Sequence, residues 1–154
     1  MEKLYKEFTN LAKNLNSIGI IPVLYGSLGL SKLINQDLNS QDIDVLIPEN
    51  FLKKEWDQLK IFIEKLGYDL IDLHEHEFNK NGITIAFASE EDLLPFADID
   101  YTKLEVIQDM GNYKTLRIDD YLKVYEKSLI DGYRKIKNDN KDQIKIEIIK
   151  ENLK

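Results

Sequence analysis

The stretch of residues 18–47 constrains the fold most, because two apolar runs flank a glycine turn and the second run carries two acids. Residues 18–25 are apolar and rich in β-branched side chains, which predicts a buried strand that ends at Gly26-Ser27. A short helix, a polar loop and a second strand stopped by Pro48 follow at residues 28–34, 35–41 and 42–47. We therefore expect a strand–turn–helix–strand unit in which the two strands are adjacent and the side chains of Asp42 and Asp44 lie on one solvent-reachable face.

The rest of the chain adds helices and a hairpin to this unit. Asn81-Gly82 lies between two β-rich runs, which is a strong hairpin signal for strands at residues 68–78 and 83–88. Helices are predicted at residues 2–17, 49–66 (ending at Gly67), 120–128 (after an N-cap at Asp119) and 141–153, and a short strand at 104–107. This order predicts an α/β (α+β) fold, a small mixed sheet with helices outside it.

Composition excludes several classes of function. The 154 residues suit one domain, and a net charge of -7 excludes an extended nucleic-acid surface or an anionic membrane surface. The chain has no cysteine and 2 histidines, which excludes thiolate chemistry and disfavours a histidine metal site. No apolar run approaches the ~20 residues of a membrane span, so we expect no membrane association and a cytoplasmic location.

Two acids open the second predicted strand. Asp42 and Asp44 are two residues apart, so on a strand their side chains share a face while Ile43 and Val45 point to the core. Two carboxylates on one face are typical of Mg²⁺ sites that use substrate phosphates as further ligands. An Asp-x-Asp also arises by chance in an acidic chain, but charged residues are depleted from strand interiors.

Gly26-Ser27 supplies a complementary feature. Glycine allows close approach of a ligand to the backbone, and the free N–H groups of the following helix can bind a phosphate. Gly-Ser at a strand end is often only a turn. Combined with Asp42 and Asp44, it indicates a phosphate cradle beside a metal-binding pair, as nucleotidyl transfer requires.

These residues resemble the signature of the polymerase-β type nucleotidyltransferase superfamily: an apolar strand, Gly-Gly or Gly-Ser, a helix, and Asp-x-Asp in the next strand. The resemblance covers about residues 18–90. It implies a single nucleotidyltransferase-like domain over residues 1–154, with a helical part at about 117–154. By resemblance, Gly26 and Ser27 contact the phosphates of a nucleoside triphosphate, and Asp42 and Asp44 are catalytic and bind Mg²⁺.

The chain departs from that family in one respect. The family places a third carboxylate on a neighbouring strand, whereas residues 83–88 contain no acid. We therefore expect Asp98, Asp100 or Lys127 to lie within ~8 Å of the Asp42 and Asp44 carboxylates, close enough to act directly or through one water. The alternative is a catalytically degenerate fold that binds a nucleotide or a partner.

The C-terminal part has a weaker resemblance, to nucleotidyltransferase-type toxins of abortive-infection pairs. Lys127, Arg134 and Lys141-Asp142 match a Lys, Arg and Lys-Asp pattern on helices after the sheet, so Lys127 would assist catalysis and Arg134 would bind the triphosphate. An exposed charged helix explains the same residues.

The sequence thus predicts Mg²⁺-dependent transfer of a nucleoside monophosphate from a nucleoside triphosphate to an unknown hydroxyl acceptor. A protein that handles a small molecule, with a purely structural Asp-x-Asp, stays open as a third hypothesis. Two other sets of residues are given structural roles. His74 and His76 are expected on an exposed strand, and five tyrosines are expected to pack between the C-terminal helices and the sheet rather than to stack on a base. Those tyrosines are Tyr101, Tyr113, Tyr121, Tyr125 and Tyr133.

Overall fold

The computed structural model describes residues 1–130 and 141–154. The helices of this part are α1 Glu2–Asn16, α2 Gly26–Ile34, α3 Trp56–Lys65, α4 Leu93–Ala97, α5 Ile118–Ile130 and α6 Lys141–Leu153. The strands are β1 Val23–Tyr25, β2 Ile43–Ile47, β3 Asp69–Asp72, β4 Glu77–Lys80, β5 Ile83–Ser89, β6 Glu105–Ile107 and β7 Tyr113–Thr115.

The seven strands of the described part form one mixed sheet in the order β3-β4-β5-β2-β1-β7-β6. β2 pairs in parallel with β5, and β1 pairs in parallel with β7, while the other neighbours are antiparallel. With helices on both faces, this arrangement confirms the predicted α/β class.

The two faces of the sheet carry separate apolar cores. Because strand residues alternate between faces, Ile43, Val45 and Ile47 of β2 pack towards α1 and α3, while Leu46 packs towards α4, α5 and α6. Asp44 shares the face of Leu46. The first face is closed by large buried side chains such as Phe8, whereas the second is interrupted around Asp44.

Two predicted strands are shorter than expected. Residues 18–25 contribute only Val23–Tyr25, because Gly19 has a left-handed φ of +84° and Pro22 has no N–H for the ladder. Residues 68–78 form two strands of a hairpin rather than one. Asp72 Oδ1 accepts a bond from the backbone N–H of Glu75 at 3.1 Å and turns the chain back before Glu77.

Several other boundaries also differ from the predictions. Residues 49–66 hold a 3₁₀ turn, Glu49–Leu52, before α3 begins at Trp56. The predicted cap Asp119 lies inside α5, and Asp120 instead accepts from the Arg117 N–H at 3.1 Å. Strand β7 was not predicted, whereas α6 and the end of α3 before Gly67 were placed correctly.

Candidate active site

The turn between β1 and α2 brings Gly26 against Asp44. Gly26 has a φ of +66°, a conformation that L side chains rarely adopt. A Cβ at this position would lie 2.3 Å from Asp44 Oδ2, so the carboxylate rests directly on the glycine. The absence of a side chain at position 26 is therefore what allows the acid and the start of α2 to meet.

Ser27 is bound to the loop that leads into β2. Its Oγ donates a hydrogen bond to Ser40 Oγ at 2.7 Å. This contact ties the first turn of α2 to the chain just before Asp42. The phosphate-contact role of Ser27 stays a prediction.

The two predicted metal ligands differ in setting. Asp44 lies in β2, opposite Tyr25 of β1, and is half-buried. Asp42 is exposed in a bend one residue before β2, so the predicted strand begins at Ile43 instead. β1 and β2 are adjacent as predicted, while the convergence of the two carboxylates stays a prediction.

A row of paired side chains crosses the sheet at Asp44. Tyr25 lies opposite Asp44, Asp44 opposite Ala86 of β5, and Ala86 opposite Glu77 of β4. Side chains directly opposite each other on paired strands share a face. Glu77 therefore faces the same side as Asp44, with Ala86 on the strand between them.

A cavity of about 340 Å³ lies over Tyr25, Asp44 and Ala86 of this row, between the sheet and α5. Its floor includes Asp44 and Ala86, and Tyr121, Tyr125 and Ser128 of α5 form a wall. The charged side chains that line it in the described part of the chain are Asp44 and Glu75, both acidic. An anionic ligand would thus need a cation to enter.

Three tyrosines form a stack beside Asp44. The rings of Tyr25 and Tyr121 lie 6.4 Å apart at 24°, and those of Tyr121 and Tyr125 lie 6.2 Å apart at 17°. Burial raises the pKa of Tyr121 well above its ordinary value, with smaller contributions from Tyr125, Tyr25 and Asp44. Tyr121 therefore remains a neutral hydroxyl that can donate to the Leu24 carbonyl, 3.4 Å away.

Two candidates for the missing base line a groove other than the Asp44 cavity, while the expected proximity to Asp42 and Asp44 stays a prediction. Lys127 is exposed on α5 and lines a separate groove between α4 and α5 together with Asp98. Asp100 Oδ1 accepts from the N–H and Oγ1 of Thr102 at 3.0 and 2.6 Å, which lowers the pKa of Asp100. Arg134 is not among the described residues.

The histidines do not lie on a strand, contrary to expectation. His74 and His76 are in the turn between β3 and β4, where His76 has a φ of +52°. The His76 ring packs against Trp56 with 4.7 Å between centroids. This contact gives His76 a packing role.

The donor chemistry at Asp42 and Asp44 suits Mg²⁺. Their carboxylate oxygens are the ligand type this ion prefers, and substrate phosphates commonly complete its shell. In residues 1–130 and 141–154, no three or more His, Asp or Glu side chains group closely enough to hold a metal by themselves. Mg²⁺ would therefore bind with phosphate oxygens as co-ligands.

Every helix of the described chain is too short or too polar to cross a bilayer.

Comparison with known proteins places the chain among its relatives. No protein-family model matches it. It is 54% identical over 149 residues to the Bacillus subtilis (strain 168) protein described as uncharacterized protein YnaI, and the match covers 96% of each chain. The chain belongs to the YnaI family. Because this identity extends over nearly the whole of both chains, the fold described above is that of the family.

Proposed function

We propose that the chain is a nucleotidyltransferase that uses Mg²⁺ to move a nucleoside monophosphate from a nucleoside triphosphate to a hydroxyl group. The observation that carries this proposal is the contact of Asp44 with Gly26. It puts a carboxylate beside the first residue of a 9-residue helix, at the floor of a cavity. Free backbone N–H groups and a carboxylate at one point suit a metal-bound phosphate.

Each residue has a defined role in this proposal. The N–H groups at Gly26 and Ser27 bind phosphate oxygens, and Asp42 and Asp44 hold Mg²⁺. When bound, the ion neutralises the triphosphate and activates the attacking hydroxyl. Lys127 and Arg134 stay candidate cations for catalysis and for the triphosphate. We place the activity in the cytoplasm, where nucleoside triphosphates are available.

The reaction forms one bond and breaks one. The acceptor hydroxyl oxygen attacks the α-phosphorus, and a new P–O bond forms. The bond from the α-phosphorus to the oxygen bridging to the β-phosphorus breaks, and pyrophosphate leaves with the electron pair. The hydroxyl proton passes to a carboxylate, for which Glu77 is our candidate because its side chain shares the face of Asp44.

A specific observation also favours a second candidate, a module that binds nucleotide or a partner without transfer. Ala86 lies opposite Asp44 on β5, where an acid would stand directly beside it. If Glu77 does not accept the proton, the site keeps its binding features and loses its chemistry.

Labelled nucleotides separate the two candidates. The chain is incubated with Mg²⁺ and ATP, GTP, CTP or UTP labelled at the α- or γ-phosphorus, with panels of hydroxyl compounds and proteins as acceptors. We expect label from the α-position on an acceptor, and loss of that label in Asp44→Asn but not in Asp98→Asn. Binding of nucleotide with no transfer of label would favour the module.

A further inference from the structure

A second apolar groove of about 460 Å³ adjoins the Asp44 cavity. Four residues line both spaces, so the two are continuous: Tyr25, Leu46, Ala88 and Phe96. Leu46 lies two residues beyond Asp44 on β2, which corresponds to about 7 Å along the strand. We call this second space the Ala88 groove.

The Ala88 groove exists because the sheet carries small residues there. Ala86 and Ala88 point to the same face of β5, and Ala88 is exposed although it pairs with Leu46 in the interior of the sheet. A larger side chain at position 88 would fill part of the groove. Tyr25 and Phe96 also line it, so two aromatic rings border the space that the alanines leave.

The charge of the groove restricts what it can bind. Asp92, at the start of α4, is the charged side chain that lines it among the described residues. The adjoining cavity contributes Asp44 and Glu75. A ligand with an apolar ring and a positive charge complements such a slot, while an anionic one is disfavoured.

We propose that the Ala88 groove is the acceptor site, and that the acceptor is a small aromatic hydroxyl compound that carries an amine. This inference rests on the proposed function, because only a transfer reaction has an acceptor. The ring lies between Tyr25 and Phe96, the ammonium pairs with Asp92, and the hydroxyl points towards Asp44. Its oxygen attacks the α-phosphorus, the bond from that phosphorus to the bridging oxygen breaks, and pyrophosphate leaves; the proton passes to Glu77, as in the proposed transfer.

Three probes of one shape and different charge test the site in the absence of nucleotide: tyramine, tyrosol and 4-hydroxyphenylacetate. Calorimetric titration should give a dissociation constant for tyramine about two- to fivefold below that for tyrosol, as expected for one exposed ion pair. The anionic probe should bind most weakly. Asp92→Asn should remove the preference for tyramine. Asp98→Asn, at the other end of α4 and lining a different groove, should keep it.

The location is tested separately. Tyramine should shift the backbone amide resonances of Ala88, Ser89 and Asp92 in the wild type, and Ala88→Leu should weaken binding of all three probes by tenfold or more. No detectable binding, equal affinity for the three probes, an unchanged preference in Asp92→Asn, or shifts only elsewhere would overturn the proposal.

Binding of the probes is measured without nucleotide, so its result is independent of the labelling assay for transfer. Tyramine bound in the groove but not labelled by α-labelled nucleotides would support the site and count against the proposed transfer. Label on other acceptors, with no probe in the groove, would support transfer and overturn this site.

Discussion

Asp44 and Gly26 are in direct contact, with the Asp44 carboxylate oxygen in the place that a Cβ of residue 26 would need. Gly26 is the first residue of α2 and Asp44 lies in β2, so the contact joins helix and sheet at the end of the interior strand β1, a place we call the corner. Both the metal-ligand role of Asp44 and the phosphate role of Gly26 in our proposal depend on this corner.

Gly26→Ala should disrupt the corner more than a positive φ alone explains. An alanine in a left-handed conformation costs about 1–2 kcal/mol, and here its Cβ also displaces the Asp44 carboxylate. Gly19→Ala is the matched control, because Gly19 has a φ of +84° and nothing within 4 Å of its Cβ position.

We expect both of these variants to lower the free energy of unfolding in urea, and only Gly26→Ala to weaken binding of Mg²⁺ with ATP. Equal nucleotide affinity in the two variants would contradict the role of the contact.

Gly29 and Tyr121 should be energetically coupled. A Cβ at Gly29 would lie 2.1 Å from the Tyr121 hydroxyl oxygen and 2.8 Å from the Leu24 carbonyl oxygen. Gly29→Ala should therefore destabilise the fold by about 1–3 kcal/mol, despite the better helix propensity of alanine. In a Tyr121→Phe background the penalty should fall by about 1 kcal/mol, measured by a double-mutant cycle. A Tyr125→Phe background, which keeps the Tyr121 hydroxyl, should leave the penalty unchanged.

Glu77→Gln should lower the transfer rate about 100-fold or more, the usual contribution of a positioned proton acceptor. Nucleotide affinity should stay near that of the wild type. In the double variant Glu77→Gln/Ala86→Asp, activity should recover, because the acid now stands on the strand next to Asp44. Glu105→Gln, on edge strand β6, is the control for loss of an exposed strand acid. Full activity in Glu77→Gln would remove Glu77 from the mechanism.

The contact between His76 and Trp56 predicts a pH-dependent signal. Burial lowers the pKa of His76 below its ordinary value of 6.5, with His74 and Lys53 adding to this and Glu75 opposing it. Because the unfolded chain protonates near the ordinary value, the contribution of neutral His76 to stability is complete above pH 6.5. That contribution is lost as the pH falls towards the lowered pKa.

Trp56 is the single tryptophan, so its fluorescence reports on this site. The pH titration of this fluorescence should have its midpoint below pH 6.5, and the titration should be absent in His76→Gln. The exposed His74 gives a control, since His74→Gln should retain the titration. A midpoint at or above the ordinary value would contradict the assignment.

The local parts of the corner were predictable from the sequence. A glycine at the end of an apolar run and an acid at the start of the next were sufficient to predict that β1 and β2 lie side by side. By contrast, β7 has three residues and pairs with β1 across most of the chain, so no local pattern marks it. The parallel register of Asp44 with Ala86 is equally non-local.

The position of Glu77 is intermediate between these local and non-local features. Asn81 and Gly82 both have positive φ, as a two-residue hairpin loop requires, and such a loop fixes the pairs outward from Lys80 and Ile83. Counting back from that turn places Glu77 opposite Ala86. The pairing of Glu77 with Ala86 was therefore predictable from the sequence. The predicted strand ended at residue 78, before the true turn at Asn81 and Gly82, and so this pairing was missed.

Calorimetric titration of ATP, with and without Mg²⁺, tests the central claim that Asp44 and Gly26 form a metal-dependent nucleotide site. Because the described lining of the cavity carries acids and no bases, we expect the wild type to bind ATP at least tenfold more tightly with Mg²⁺ than with EDTA. Asp44→Asn should lose that Mg²⁺ dependence, whereas Asp98→Asn should keep it. Equal ATP affinity in wild type and Asp44→Asn, with Mg²⁺ saturating, would contradict the account.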